Sequence, residues 1–343
     1  MKIAVVLLNL GGPDGPAAVR PFLRNLFADP AIIRTPAPLR LALAEVISRS
    51  RRKSAIANYA VMGGGSPLLA QTRFQAEALE ERLAAVRPAD EVRCFIAMRY
   101  WDPMSDETAR QVAAFAPDEV VLLPLYPQFS TTTTDSSLAA WRKAYRGGGR
   151  VSAVCCYFED EGLVAAHATL IQRTWEAAGS PAGLRLLFSA HGLPERISGA
   201  GDPYRWQVEA TCEAVAARLA GAWDWQVCYQ SRVGPMKWIG PSTVEAIETA
   251  ARDGLGVIVD PIAFVSEHVE TLVELDRDYA EVAERAGVSP YLRVPALGIE
   301  PAFIEGLAAL VGQALKHDGV RPAGRACPAE HPRCAYRMAG AKP

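Results

Sequence analysis

The chain of 343 residues holds no apolar run near the roughly 20 residues that cross a bilayer. Its longest clean stretches are Ile3 to Leu8 and Val120 to Leu123. The opening MKIAVVLLNLGG carries a single Lys and no small-residue cleavage site, and reads as a strand and turn rather than a leader. The expectation is a cytoplasmic protein. Basic excess is also missing: the formal net charge of −2 lacks the electrostatic footprint of a nucleic-acid-binding protein. Phosphate-loop signatures are absent as well. Leu10-Gly11-Gly12-Pro13-Asp14-Gly15 does not match G-x-G-x-x-G, a proline sits where the backbone would cradle phosphate, and no Walker A sequence occurs. The seven cysteines (94, 155, 156, 212, 228, 327, 334) are an odd number, and in a reducing compartment they point to burial or metal binding before disulfides. Histidine is scarce, with five in all.

Short runs of Val, Ile and Leu alternate with longer Ala-, Glu- and Arg-rich stretches, which is the pattern of parallel strands joined by helical crossovers. The runs fall into two sets of four: Ile3–Leu8, Arg93–Met98, Glu119–Leu123 and Arg150–Cys155, then Arg185–Phe188, Trp225–Tyr229, Gly256–Val259 and Leu292–Val294. A proline follows the third strand of each set, at Pro124 and Pro261. The expected fold is α/β: two similar Rossmann-like halves, 1–150 and 151–317, each a four-stranded parallel sheet flanked by helices, with a cleft between them. The first half carries one large insertion, about 22–65. It contains the apolar stretch Leu39 to Ile47 and then the basic residues Arg49, Arg51, Arg52 and Lys53. That combination suits a surface touching lipid or an apolar anionic ligand, or a solvated basic helix end favoured by the macrodipole. The segment 318–343, rich in Pro and Gly, has no helical pattern and is either disordered or pinned by Cys327 and Cys334.

Ligands of open parallel sheets bind beyond the carboxyl ends of the strands, so the segments there are the ones to inspect. His191 stands in LLFSAHGLP, where an apolar run ends and Gly192 and Pro194 turn the chain away. Phe264 to Asp278 reads FVSEHVETLVELDRD: Ser266 is a plausible N-cap, and Glu270, Glu274 and Asp278 recur every four residues as one acidic stripe on a helix. Like charges at that spacing repel, so the stripe is either fully solvated or a path for cations and protons, with His268 beside it. A histidine and a carboxylate facing a common cleft can share proton removal and metal handling. Tyr59, Tyr100, Tyr126, Trp238 and Phe264 are candidates for the walls around a large flat ligand. Arg51, Arg52, Arg99, Ser66 and Ser231 are candidates for holding its anionic edges, because guanidinium forks suit carboxylates.

These segments taken in order, LNLGGP (8–13), NYAVMGGGSP (58–67), MRYWDP (98–103), LYPQFSTTTT (125–134), SAHGLP (189–194), QSRVGPMKWIGPST (230–243) and FVSEHVETLVELD (264–276), resemble the ferrochelatases, which insert ferrous iron into a porphyrin. The resemblance implies a chelatase-like pair of Rossmann-like halves around a deep cleft. It implies His191 and Glu270 as the catalytic pair, with Glu274, Asp278 and His268 joining them as metal-handling groups. Leu10, Arg99, Tyr100 and Trp238 would line the porphyrin pocket, while Tyr59, Ser66, Ser231 and an arginine at 51 or 52 would engage the propionates. The reaction implied is insertion of Fe²⁺ into protoporphyrin IX or a close porphyrin, with two protons released. The insertion would be the apolar lip of the cleft, resting peripherally on the cytoplasmic membrane. Some members hold a [2Fe–2S] cluster through a cysteine-bearing tail. Here the tail offers Cys327 and Cys334, and the internal candidates are Cys155 and Cys156. Either both adjacent cysteines serve, which requires them to lie past the strand end, or a residue such as His331 completes the set. Zinc, or no metal, are the alternatives for the tail.

Overall fold

The computed structural model describes residues 1–232, 234 and 236–339. Val233 and Pro235 of the QSRVGPMKWIGPST motif, and residues 340–343 of the tail, lie outside the described residues. Nine strands form two parallel sheets. The first contains β1 (Lys2–Asn9), β2 (Glu91–Met98), β3 (Glu119–Pro124), β4 (Arg150–Val154) and β9 (Gly319–Arg321), in the spatial order β2-β1-β3-β4-β9. The second contains β5 (Leu184–His191), β6 (Asp224–Gln230), β7 (Gly256–Asp260) and β8 (Tyr291–Arg293), in the order β6-β5-β7-β8. Setting β9 aside, the two orders are the same, which is the internal repeat expected from the sequence.

The strands are continuous apolar runs because helices cover both faces of each sheet. Ile3 to Leu8 of β1 are completely buried. On one face Val5 and Leu7 pack with Leu79 and Leu83 of the helix Leu68–Val86. On the other, Ala4, Val6 and Leu8 pack with Val112 and Trp141. Helix starts are fixed locally. Asp160 accepts a hydrogen bond from the Leu163 N–H at 3.1 Å, and Ser242 and Glu245 form a reciprocal capping box. The helices Glu161–Ala177 and Pro301–Ala314 cross at two glycines: a Cβ on Gly162 would lie 2.4 Å from the Ala302 carbonyl oxygen. That crossing brings the last long helix of the second half back onto the first sheet.

Three sequence expectations need correction. The first sheet has five strands rather than four, because the tail returns to add β9 beside β4. Three short, half-exposed residues carry too little apolar signal to be read as a strand. The tail is accordingly ordered through Met338, where a short helix, Ala335–Met338, follows Cys334. In the insertion, Arg49, Arg51, Arg52 and Lys53 do not end a helix. They lie in the middle of the 25-residue helix Ala37–Val61, so the macrodipole reading of the basic run does not hold. Leu39, Leu41, Val46 and Val61 of that helix are about half exposed or more.

Candidate active site

In a doubly wound sheet the binding crevice opens where neighbouring strands send their connections in opposite directions. Here that occurs between β1 and β3, and again between β5 and β7. One cavity of about 220 Å³ lies against both switch points. Its lining comes from Asn9 and Leu10 after β1, from Leu125 to Thr133 after β3, from His191 at the end of β5, and from Ala263 to Glu270 after β7. Leu26 and Ile32 of the insertion close it. Most of its exposed wall is apolar, and its ionisable groups gather at one end: His191, His268 and Glu270.

The His191 ring reaches that end because Gly192 lets the chain turn hard against β6. A Cβ there would stand 2.7 Å from the Gln230 carbonyl oxygen. His191 Nδ1 is 2.7 Å from Glu270 Oε2, and 43% of the histidine side chain is open to the cleft. Burial pushes the imidazole down, but the charge and hydrogen bond of Glu270 outweigh it and hold His191 above its ordinary value. Burial likewise pushes Glu270 up. His191, then His268 and the Ser231 hydroxyl, reverse that and bring it down to about 2. His268 donates from Nδ1 to the Ser266 carbonyl at 3.0 Å, which fixes its tautomer and leaves Nε2 facing Glu270 Oε2 at 3.9 Å. Burial outweighs the neighbouring Glu270 charge and lowers the pKa of His268.

Glu274 completes the group. Burial and the neighbouring charge of Glu270 push its carboxyl up to about 7. It accepts from Ser231 Oγ at 2.6 Å and from Gln230 Nε2 at 3.2 Å. Gln230 also donates to the Glu270 carbonyl at 2.7 Å, and its own amide oxygen accepts from Ser189 at 2.8 Å. Both glutamates sit on a π-helix, Glu270–Asp278. Widening the turn keeps residues four apart on neighbouring positions, so the acidic stripe survives. Ser266 is not its cap: the helix starts later, and Ser266 Oγ donates to the Gln75 side chain at 3.1 Å.

The remaining candidates divide. Leu10, Tyr126 and Phe264 line the cavity; the Phe264 ring lies 4.8 Å from that of His268, and the Tyr126 hydroxyl is buried without a partner. Tyr59 is buried, and its hydroxyl is pushed well above its usual range first by burial and then by the charge of Glu270. Ser66 packs against Gly12, and its Oγ accepts from the Leu68 N–H at 3.3 Å. Arg51 lies on the long insertion helix with its guanidinium 5.9 Å from the Phe27 ring, and Arg52 is exposed beside it. Trp238 packs behind Gly192 and pairs with Pro194, outside the cavity wall.

Three expectations change. Arg99 and Tyr100 do not face the cavity. Both bind Asp29, Arg99 Nη2 at 2.6 Å and the Tyr100 hydroxyl at 2.8 Å, and Ser136 donates to the same carboxylate. Ser231 is committed to the carboxylates of the π-helix rather than to a ligand edge. Asp278 leaves the stripe: it is 45% exposed and pairs with Arg277 at 2.8 Å. Asn9, Gln128, Ser130, Thr132, Thr133 and Tyr204 also reach the cavity. Their position after strands was the available signal, but no spacing singled them out.

The four candidate cysteines meet outside this cavity's lining. β4 ends at Val154, so Cys155 and Cys156 lie past it, with their sulfurs 3.5 Å apart. Cys334 comes beside Cys155, and Cys327 beside Cys156 and Cys334. All four are buried, and Gln207 Nε2 donates to Cys327 Sγ at 3.1 Å. The Cys155 and Cys327 S–H groups donate to Cys334 and hold its thiol below the usual value. His331 instead lies against Trp206, with ring centroids 5.6 Å apart. The contacts are thiol to thiol, and among the described residues no group of three or more His, Cys, Asp or Glu side chains is placed to hold a metal ion.

A family model described as ferrochelatase matches residues 2–315. A ferrochelatase of Caulobacter vibrioides is 66% identical over 310 residues, covering 90% of this chain and 89% of the relative. A ferrochelatase of Phenylobacterium zucineum is 60% identical over 341 residues, covering 99% of each. Among solved structures, SirB from Bacillus subtilis with Fe³⁺ superposes with a TM-score of 0.52 at 13% identity, covering 92% of this chain and 96% of SirB. That last likeness is one of fold. With the family matched across both sheets and the shared end of the cleft, the chain belongs to the ferrochelatases, the enzymes of porphyrin metal chelation.

Proposed function

We propose that this chain inserts Fe²⁺ into protoporphyrin IX, or a close porphyrin, to give haem with the release of two protons. The observation that carries the reading is the His191–Glu270 pair, joined at 2.7 Å in the wall of a mostly apolar cavity. Metal insertion must remove two pyrrole protons and strip water from the ion. Glu270 stabilises the imidazolium that forms when His191 takes a proton, which strengthens the histidine as a base. Glu274, poised at about 7, is suited to take and release the second near neutrality. Imidazole and carboxylates are acceptable ligands for Fe²⁺ in transit. They would bind Cu²⁺ or Zn²⁺ more tightly, so iron choice rests on geometry and supply. The path for cations and protons runs over Glu270 and Glu274, with His268 beside it, and stops short of Asp278. Leu10, Tyr126 and Phe264 form the walls for the ring, while Tyr59, Ser66, Arg51 and Arg52 remain the groups for the propionates. A preformed cleft of this kind can hold the ring bent toward its transition state.

Within the same reading, Cys155, Cys156, Cys327 and Cys334 would hold a [2Fe–2S] cluster. Four convergent thiols are the donor set such a cluster takes, and when bound it supplies a redox-sensitive cross-link between tail and body. The insertion helix, with its exposed leucines and basic run, would rest on the cytoplasmic membrane surface.

The test is metal insertion into protoporphyrin with Fe²⁺, Co²⁺ and Zn²⁺, alongside His191→Ala and Glu270→Gln. Turnover should fall at least about a hundredfold in each variant, while porphyrin binding, read by its absorption band, persists. A wild-type protein that binds porphyrin but inserts no iron would overturn the reading, as would variants with unchanged turnover.

A further inference from the structure

A second cavity, of about 300 Å³, lies between β4, the helix Pro301–Ala314 and the returning tail. It shares no lining residue with the cleft described above. Its volume is within the range of small-molecule sites, and its chemistry is one-sided. Arg321, His317, Gln313 and Ser152 line it, together with small apolar residues and Tyr336, and no Asp or Glu does.

Ser152 is the informative residue. It is 1% exposed, and its hydroxyl has no hydrogen-bond partner. Val154, two residues further along β4 and so on the same face, packs in the core with Leu310 and Ala314. Ser152 therefore faces the helix side, where the cavity is. A buried hydroxyl left unpaired costs free energy, and a ligand oxygen is the partner it lacks. Arg321 stacks over Tyr336 at 5.9 Å, while the nearby carboxylates are taken by other arginines: Asp318 by Arg150 and Glu159 by Arg325. The carbonyls just past the C-terminus of the helix would repel an anion, but Arg150 donates to those of Leu315, at 2.5 Å, and His317, at 3.0 Å. What remains at the cavity is an excess of donors.

We propose that this cavity binds a small organic acid, its carboxylate held by Arg321 and Ser152, and that the bound acid braces the tail against the body. The wall that would take the ligand is latched to the thiol site by backbone hydrogen bonds. The Cys155 N–H donates to the Arg321 carbonyl at 2.8 Å, and the Ala323 N–H to the Cys156 carbonyl at 2.9 Å. Occupancy is thus transmitted directly to the segment carrying Cys327.

Calorimetric titration of the full chain with succinate, citrate and inorganic phosphate tests the site. At least one of the two organic acids should bind one to one. Ser152→Ala and Arg321→Gln should each weaken it about tenfold, the loss of one charge-assisted hydrogen bond. Ala326→Trp, at an exposed lining position, should block the cavity without disturbing the core. The bound acid should also slow tryptic cleavage after Arg325 in the wild type but not in Ala326→Trp. No binding by either acid, phosphate binding alone, or equal affinity in the three variants overturns the site. Binding without protection of the tail overturns the bracing role.

Discussion

The hydroxyl of Ser231 stands between two carboxylates, 2.6 Å from Glu274 Oε2 and 3.4 Å from Glu270 Oε2. The shorter contact is to Glu274, and the hydroxyl lowers both carboxyls. Ser231 reaches this position with φ +62, a left-handed conformation uncommon for a residue with a side chain. It thus stabilises charge on Glu274 without removing the repulsion from Glu270. Because the folded pKa of Glu274 is raised to about 7 from an ordinary 4.5, the folded state binds its proton more tightly than the unfolded chain does. The stability this group supplies is complete below 4.5 and is lost as pH rises toward 7. Glu274→Gln should therefore be more stable than wild type above pH 7, by up to about 3 kcal/mol. The two should be equal below pH 4.5, as read by urea unfolding at each pH. The same variant should lose turnover at every pH, since its amide cannot accept a proton.

Asp29 gathers Arg99, Tyr100 and Ser136 into one buried knot. Its carboxylate is 4% exposed, and Asn25 of the neighbouring helix donates to the Tyr100 carbonyl at 3.1 Å. The knot joins the base of the insertion to the end of β2. Removing a buried charge leaves its partner unpaired, which typically costs about 3–5 kcal/mol. Asp29→Ala should lose about 3 kcal/mol or more in denaturant unfolding, whereas Tyr100→Phe should lose about 1 kcal/mol. Tyr100→Phe should leave porphyrin affinity unchanged; a large rise in KM in that variant would return Tyr100 to the pocket wall.

The knot also shows where reading a sequence stops. The eight core strands were legible because parallel strands covered on both faces must be apolar throughout, as Ile3 to Leu8 and Leu186 to Phe188 are. His191 was legible because it ends such a run, and Glu270 because it recurs with Glu274 and Asp278 every four residues. Asp29 was not: a lone aspartate before a proline has no periodicity, and its partners lie 70 residues or more away. Gln75, which donates to the Val265 carbonyl at 2.7 Å and so holds the start of the loop that leads to Glu270, was hidden in the same way, 190 residues from its partner. The π-helix was invisible for another reason, since its acidic residues keep the spacing that an α-helix would give. Strand β9 is too short to announce itself, and its pairing depends on a tail whose position is set by sulfur contacts.

That dependence makes the cysteines testable one at a time. If the four thiols hold a [2Fe–2S] cluster, the purified protein should be red-brown, and Cys327→Ser or Cys334→Ser should bleach it. Both residues are about 1% exposed, so either change also loosens the tail. Trypsin should then cut after Arg325 faster than in wild type. His331→Ala should leave the colour intact, because its ring lies against Trp206. A colourless wild-type protein prepared with ample iron would exclude the cluster, and colour surviving in Cys327→Ser would exclude that ligand.

The insertion helix presents two means of holding a membrane, and they separate by salt. Leu39, Leu41 and Val46 are 54%, 48% and 63% exposed, an unusual cluster for one helix of a folded protein. Arg51, Arg52 and Lys53 follow on the same helix, whereas Arg49 is partly used by Glu45 at 2.8 Å. Basic residues near an anionic surface act through a field that falls off within a Debye length. Apolar contact with acyl chains does not depend on ionic strength in that way. Changing Arg49, Arg51, Arg52 and Lys53 to Ser should lower co-sedimentation with phosphatidylserine-containing vesicles by about tenfold or more at low salt. At high salt, wild type and this variant should converge. Changing Leu39, Leu41 and Val46 to Ser should weaken binding at both ionic strengths, and on neutral vesicles as well. If neither set of changes alters sedimentation, the helix serves the cleft alone and the membrane contact is refuted.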